Sequence, residues 1–337
     1  MRRALWIWIS CVLALAGCSV GIDPPEPTRM IDVAGGEYLV GGAAIGPDNK
    51  RCEQASDTRD PNNCDLTGAT IESALPKLSY LSSASVVLAP YTIDQHEVTN
   101  LQYQLCVEDG ACSPPEADSI GDTTYYGSAE FYDHPVVWVT REQAAAYCAY
   151  VDKRLPDEAE WEVAGRYNGG PSGAPKDFPW STPDRLSQGA APYVLSESDT
   201  PIEATPRPFT LWNGDTTSND STQIHHLAGN VSEWVAGLFD PYAYCERKLD
   251  AACMTDPDNC AACGGGDCVR SCDRNLALCK PRPASDPYVP QNAVGAQAMT
   301  RGGSYRRIAC HQRLFVRRAR NAESAASDLG FRCARSL

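Results

Sequence analysis

The chain has 337 residues, a formal net charge of −14 and 16 cysteines. This acidic balance argues against binding to nucleic acid and against direct electrostatic docking on anionic lipid, because both surfaces are negatively charged. The sequence contains no phosphate-binding loop, dinucleotide-binding fingerprint or Gly-x-Ser-x-Gly elbow, so kinase, dehydrogenase and hydrolase functions lack support.

Residues 1–17 have the form of a lipoprotein signal peptide. Two arginines precede an apolar run at residues 4–16, which is too short for a comfortable membrane span. The run ends in LAGC at residues 15–18, which resembles the lipobox where bacterial lipoproteins are cleaved and acylated. We therefore predict lipidation at Cys18, in preference to an ordinary cleaved signal peptide or an uncleaved anchor. Several acyl chains would hold the protein stably on a membrane.

The protein is predicted to lie in the bacterial cell envelope, attached to a membrane by its lipid. Ser19 stands where some lipoproteins carry the aspartate that retains them at the inner membrane, and its presence favours the outer membrane. Residues 18–29 are rich in proline and are predicted to form a tether. Residues 30–337 are predicted to form one domain, because their length suits one and no internal repeat divides them.

Three helices are predicted from capping patterns, in which a Thr or Asp N-cap is followed three residues later by Gln or Glu. The pairs are Thr99 with Gln102, Thr140 with Gln143, and Asp157 with Glu160. Strands are predicted at residues 37–40, 85–88, 135–139 and 329–333. With 26 glycines and 25 prolines, the pattern indicates a loop-rich α+β domain whose termini pair in one sheet. Loops this extensive are expected to be stabilised by disulfides or by bound metal.

The cysteines indicate a disulfide framework, since an even number remains in the exported chain once Cys18 carries lipid. Local spacing predicts two pairs, Cys52 with Cys64 and Cys106 with Cys112. The cysteine-rich insertion at residues 245–279 contains spacings that a zinc site could use. Disulfides are the favoured reading in an oxidising compartment, and the insertion is predicted to be a stapled surface loop near the cleft that could bind a partner.

Short strings in a fixed order resemble one family. Four of them are RLPDEAEWE at 154–162, GNVSEW at 229–234, RGGSY at 301–305 and GFRC at 330–333. Further matches are MIDVAGGEYLVGG at 30–42, YTIDQHEVTNLQY at 91–103, and HPVVWV at 134–139 followed by AAAYC at 144–148. Together they resemble the formylglycine-generating enzyme, or sulfatase-modifying factor, superfamily over nearly the whole mature chain.

The resemblance implies a C-type-lectin-like fold with little regular secondary structure, which agrees with the loop-rich α+β prediction. It also implies a long-range disulfide between Cys148 and Cys333. Closing so long a loop would stabilise the folded state by about 5 kcal/mol, through the lost entropy of the unfolded chain.

The resemblance further implies a copper site, and here the chain departs from the family. Aerobic family enzymes oxidise a sulfatase cysteine to formylglycine with Cu(I) held by two thiolates five residues apart, and soft thiolates suit this ion. Alignment without gaps places Arg307 and Gln312 at these two positions. Neither side chain binds Cu(I), so copper is not expected. Cys310 is the nearby thiol, and pairing with another cysteine is favoured over metal binding beside His311.

A calcium site is also implied by the resemblance. At residues 229–234 the family binds Ca²⁺ through hard oxygen donors, which here would be the side chains of Asn230 and Glu233 and the carbonyl of Val231. The alternative is a helix or turn cap with Trp234 in the core.

Arginines are concentrated between residues 301 and 320 of this acidic chain. Their structural role would be to pair with carboxylates inside the fold, and their functional role would be to line a groove for an anionic ligand or a peptide carboxylate. The predicted cleft consists of Ser304, Arg307, Cys310, Gln312 and Arg313.

Two classes of function follow. We favour a noncatalytic binding or structural lipoprotein that presents its cleft to an envelope protein or glycan. The alternative is an oxidase: either a formylglycine-generating oxidase acting on a sulfatase cysteine, or an iron-dependent sulfoxide-forming enzyme. The iron-dependent type needs His ligands that a separate helical domain usually supplies.

Lipidation predicts the behaviour of a Cys18→Ala variant. In cells labelled with palmitate, the wild-type protein is expected to carry label and to fractionate with membranes. The variant should carry no label and keep its signal peptide, because the acylated thiol is missing. Equal labelling of the two proteins would contradict the prediction.

Overall fold

The structure is a computed structural model that describes residues 28–41, 78–79, 84–167, 170–173, 175–176, 178–179, 206, 208, 224–239, 245–246, 280–281, 297–307 and 312–337. Several predictions lie outside these residues: lipidation at Cys18, the Cys52–Cys64 pair, the environment of Cys310 and most of the insertion at 245–279. Within the described part of the chain, none of the helices has the length and apolar character needed to cross a membrane.

The three predicted helices are all present, as α1 (Asn100–Glu108), α2 (Arg141–Tyr150) and α3 (Glu158–Arg166). A 3₁₀ turn at Ala129–Phe131 lies between the first two. The side chain three residues after each N-cap reaches back to the N-cap backbone N–H, at 3.0 Å in α1 and 2.8 Å in α2 and α3. Local capping therefore determines where these helices begin.

Fourteen strands, most of them short, complete the described secondary structure. They are β1 (Met30–Val33), β2 (Gly36–Val40), β3 (Leu78–Ser79), β4 (Ala84–Leu88), β5 (Tyr91–Asp94), β6 (Ser119–Ile120), β7 (Thr123–Thr124), β8 (Ser232–Leu238), β9 (Cys245–Glu246), β10 (Lys280–Pro281), β11 (Gln297–Arg301), β12 (Arg317–Asn321), β13 (Leu329–Phe331) and β14 (Ala334–Ser336).

The largest described sheet has the order β13-β8-β11-β12-β3, with β13 parallel to β8 and the other neighbours antiparallel. A second sheet has the order β1-β5-β14, so the first and last described strands both pair with β5. This confirms the prediction that the two ends of the domain meet in one sheet. The remaining pairs are β2 with β4, β6 with β7 and β9 with β10.

The strand predicted at residues 135–139 is wrong. Pro135 makes only an isolated bridge to Thr99, and Trp138 has a φ of 61°, a left-handed conformation that ends an extended run. The Trp138 N–H donates instead to the carbonyl of Ala326 at 3.0 Å. The valines of this segment are buried, so its apolar pattern reflects core packing and not a strand ladder.

Two disulfides are formed in the described part of the chain, Cys106–Cys112 and Cys148–Cys333. The first was predicted from local spacing and the second was implied by the family resemblance. The long-range bridge joins α2 to the segment between β13 and β14. It lies in a core cluster where the ring of Tyr103 stacks on Tyr147 at 5.7 Å.

Helix α3 is buried along its whole length although it carries three glutamates. Each has an arginine partner: Glu158 binds Arg317 at 2.9 Å, Glu160 binds Arg154 at 2.6 Å, and Glu162 binds Arg166 at 2.7 Å and also Arg301. Burial raises the pKa of Glu162, but Arg301 and Arg166 outweigh it and hold the pKa below its usual value. The charged form is therefore the one that the fold stabilises.

This ion pairing predicts the effect of Glu162→Gln. The change leaves two buried guanidinium groups without their carboxylate, so the free energy of unfolding should fall by about 3–5 kcal/mol. The measurement is urea unfolding followed by circular dichroism. Glu142→Gln on the exposed face of α2 is the matched control and should stay within about 0.5 kcal/mol of wild type. Similar stabilities for the two variants would contradict the prediction.

Candidate functional site

A two-glycine turn opens the predicted cleft. Gly302 and Gly303 follow β11 with φ values of 93° and 69°, a region that favours glycine. A Cβ on Gly302 would lie 3.0 Å from Cζ2 of Trp161, so a side chain would collide with the core. The chain can therefore leave the sheet sharply here and place Ser304 beside the turn at residues 326–328.

Asp328 lies at the centre of this region. Its Oδ2 accepts a hydrogen bond from Ser304 Oγ at 2.8 Å, and its carboxylate pairs with Arg307 Nε at 3.7 Å and Arg320 Nη2 at 3.6 Å. Burial raises the pKa of Asp328, but Arg320, Arg307 and the Ser304 hydroxyl together hold it below the usual range. Asp328 is therefore ionised at neutral pH.

The two copper-ligand positions lie close together but do not fit copper. Gln312 is fully buried, and its Nε2 donates hydrogen bonds to the carbonyls of Ser304 at 2.9 Å and Arg307 at 3.2 Å. The amide thus holds the 304–307 loop in place. An amide and a guanidinium offer no soft ligand for Cu(I). Across the described residues, no group of three or more His, Cys, Asp or Glu side chains is placed to hold a metal ion.

Arg313, the remaining predicted cleft residue that the structure describes, has a different setting. Its guanidinium lies over the ring of Phe178 at 5.9 Å and that of Phe315 at 6.0 Å. Cation–π contact with these rings accounts for its position. The structure therefore gathers Ser304, Arg307 and Gln312 into one site and places Arg313 against aromatic side chains.

The calcium site implied by the resemblance does not fit this arrangement. Both oxygens of Glu233 bind Arg332 at 2.7 Å, and Oε2 also accepts from Trp161 Nε1 at 2.8 Å. A calcium ion here would have to displace a buried guanidinium. Val231 packs its side chain in a core cluster. The alternative reading of the motif is favoured, since Trp234 is fully buried in the core.

Asn230, the third proposed calcium ligand, belongs to a buried polar network. Its Nδ2 donates to Glu97 Oε1 at 3.0 Å, and His226 Nδ1 lies 3.2 Å from Glu97 Oε2. Both Asn230 and His226 are left-handed, with φ values of 52° and 60°. Burial lowers the pKa of neighbouring His96 to about 4, so this imidazole is neutral at neutral pH. Both His96 and His226 are buried.

Sequence reasoning missed Asp328 as a site residue. Its partner Ser304 lies 24 positions away, and nothing in the local spacing links the two. The available signal was its place two residues before the GFRC string and one residue before β13. For Arg320, the last of the arginines between residues 301 and 320, the structure shows the structural role, an ion pair with Asp328.

A family profile described as "Sulfatase-modifying factor enzyme 1-like domain" (FGE-sulfatase) matches residues 21–337. The chain belongs to this family. It is 31% identical over 216 residues to the "Formylglycine-generating enzyme" of Streptomyces coelicolor, a match covering 60% of this chain and 52% of that protein. The matched region thus spans about half the length of that relative.

Two further similarities were found. The chain is 34% identical over 140 residues to "Inactive C-alpha-formylglycine-generating enzyme 2" of Mus musculus, covering 39% of this chain and 41% of that protein. Its fold is similar to that of PvdO from Pseudomonas aeruginosa, with a TM-score of 0.52, 17% identity, and coverage of 91% of this chain and 94% of PvdO. The fold of this family is confirmed: a loop-rich mixture of helix and sheet that contains two described disulfides.

The depressed pKa of Asp328 predicts how Asp328→Asn behaves with pH. Ionised Asp328 stabilises the fold above the unfolded-state pKa of about 4, and this stability is lost as pH falls through the lower folded-state value. At neutral pH the variant should be less stable by about 2 kcal/mol, and the difference should shrink below about pH 4. Urea unfolding over a pH series measures this.

Asp152→Asn is the control for this experiment, since the Asp152 side chain is 99% exposed. It should differ little from wild type at every pH. A stability deficit of Asp328→Asn that did not change with pH would contradict the electrostatic explanation.

Proposed function

We propose that this protein is a noncatalytic binding module of the cell envelope that is anchored by lipid at Cys18. One observation carries the loss of catalysis: Arg307 and Gln312 occupy the two positions at which the family's copper cysteines are expected. Gln312 is fully buried, and its Nε2 donates hydrogen bonds to the carbonyls of Ser304 and Arg307. The side chain therefore has a structural role at a position where the oxidase would need a metal ligand.

Contacts away from these two positions hold the scaffold together. Buried ion pairs hold α3 to β11 and β12, and a disulfide joins α2 to the C-terminal segment. A fold stabilised in this way can persist when the catalytic activity of the family is lost. A binding module needs the fold but not the activity. The name of the Mus musculus relative records an inactive protein, which supports the same view for this chain.

The envelope location is supported by the LAGC string at residues 15–18 and by the cysteine content, which suits an oxidising compartment. An exported partner follows from this location, and we propose an envelope protein or glycan. The surface offered to it is the region around Arg307, whose side chain is partly exposed. The net charge of −14 makes nucleic acid an unsuitable partner.

An oxidase remains the competing function. The observation in its favour is the 31% identity to a protein named "Formylglycine-generating enzyme". Such an activity would need soft ligands for copper, which the side chains of Arg307 and Gln312 do not supply.

Copper binding tests the proposed function. The full-length protein, reconstituted with Cu(I) under reducing conditions, should bind no stoichiometric copper and should leave a sulfatase-type cysteine peptide unchanged by mass spectrometry. The double variant Arg307→Cys/Gln312→Cys is the positive control, because it restores two thiolates at the family positions. Stoichiometric copper together with conversion of the peptide by the wild-type protein would overturn the proposal.

A further inference from the structure

The first described residues are fixed at one point on the surface of the domain. Thr28 is 9% exposed, and its hydroxyl accepts a hydrogen bond from Gln102 Nε2 of α1 at 2.7 Å. The carbonyl of Arg29 accepts another from the Gln95 N–H at 2.9 Å. The segment that precedes Thr28 therefore joins the domain beside the first turn of α1.

The length of the preceding segment limits which side of the domain can face a membrane. Ten peptide units join the predicted lipidation site, Cys18, to Thr28. Fully extended, they span at most about 35 Å, whereas a compact domain of about 300 residues has a diameter of about 50 Å. If the side opposite Thr28 touched the membrane, Thr28 would lie about 50 Å above it, beyond this reach. Once Cys18 is acylated, the side that carries Thr28 is therefore the side towards the membrane.

Helix α1, next to Thr28, has an uncharged outer face. The residues that the helix buries are Asn100, Gln102, Tyr103 and Cys106. The outer face consists of Leu101, Gln104 and Leu105, and all three residues are partly exposed. The two leucines are one turn apart, about 6 Å along the helix axis, so they form one apolar strip. The charged residue of this helix, Glu108, lies at its far end.

A face of this composition suits the surface of a lipid bilayer. Partly exposed leucines gain free energy when they leave water, and no charged group on the outer face would lose its hydration. The contact needs little affinity of its own, because a lipid at Cys18 keeps the domain beside the membrane and makes the contact intramolecular. The net charge of −14 opposes attraction to anionic lipids, so an apolar strip is the kind of membrane contact that suits this chain.

We propose that the outer face of α1 contacts the lipid bilayer that holds the acyl chains of Cys18, with Leu101 and Leu105 at the level of the headgroups. The inference rests on the lipid anchor of the proposed function, and it deepens that function by naming the surface that faces the membrane. The contact holds one side of the domain against the lipid and leaves the other sides open to a partner from the envelope.

Photochemical cross-linking of the full-length, processed protein tests this contact. The photoreactive residue benzoylphenylalanine replaces Gln104, between the two leucines, and the protein is reconstituted in vesicles of phosphatidylethanolamine with a minor share of phosphatidylglycerol. Irradiation should join the peptide that contains position 104 to a phospholipid, and mass spectrometry detects the adduct. The same probe in place of Leu39 of β2, a leucine that is 47% exposed, should give at least about fivefold less adduct.

Substitution of the leucines tests the apolar strip itself. With the probe at position 104, Leu101→Gln/Leu105→Gln should lower the yield of lipid adduct by at least about fivefold. Leu101→Ala/Leu105→Ala keeps the helix propensity and should lower the yield as well. Leu39→Gln is the matched control, the same change at an exposed leucine outside α1, and should leave the yield unchanged. The melting temperature of each variant verifies that it is folded.

The intact mass of the same samples separates the anchor from the contact. Protein without acyl chains would refute the lipid anchor of the proposed function, and the contact with it. Acylated protein that forms no lipid adduct at position 104 would overturn the contact alone. So would equal adducts at positions 104 and 39, or an undiminished yield in folded Leu101→Gln/Leu105→Gln, and in each of these cases the anchor would stand.

Discussion

The pairing of carboxylates on α3 with arginines from distant strands is the interaction on which the rest of the structure depends. Helix α3 is buried on every side, and a buried charge without a partner costs several kcal/mol. Glu158 and Glu162 therefore require Arg317 and Arg301, which belong to β12 and β11. These pairs fix the two strands against the helix.

These core ion pairs also determine where the candidate site lies. The Gly302–Gly303 turn begins one residue after Arg301, and Arg318 follows Arg317 directly along β12. One stretch of chain thus supplies arginines to both faces of a sheet. Those facing α3 neutralise buried glutamates, and those on the other face gather around Asp328. The cluster of arginines in the sequence consequently serves two separate purposes.

Gln312 helps to fix the loop at residues 304–307. Its amide Nε2 donates hydrogen bonds to two carbonyls of this loop. Further hydrogen bonds join the loop to distant parts of the chain, from Ser304 to Asp328 and from the Tyr305 N–H to the carbonyl of Asn230. The ion pairs of α3 and the Cys148–Cys333 disulfide lie outside this loop.

The sequence by itself determined the features that depend on near neighbours or on family motifs. The starts of the three helices follow from side chains three residues apart, and the Cys106–Cys112 bridge spans six. The motif strings determined the family, and with it the fold and the Cys148–Cys333 bridge.

Only the tertiary structure decided the features that depend on residues far apart in the chain. Trp138 bends away from a strand because its N–H meets the carbonyl of Ala326. Glu233 is bound by Arg332, 99 residues away, a partner that the spacing of the motif does not reveal. Asp328 gains its role from Ser304, Arg307 and Arg320. The physical reason is the same each time: burial forces a polar group to find a partner, and local spacing does not say which partner the fold brings near.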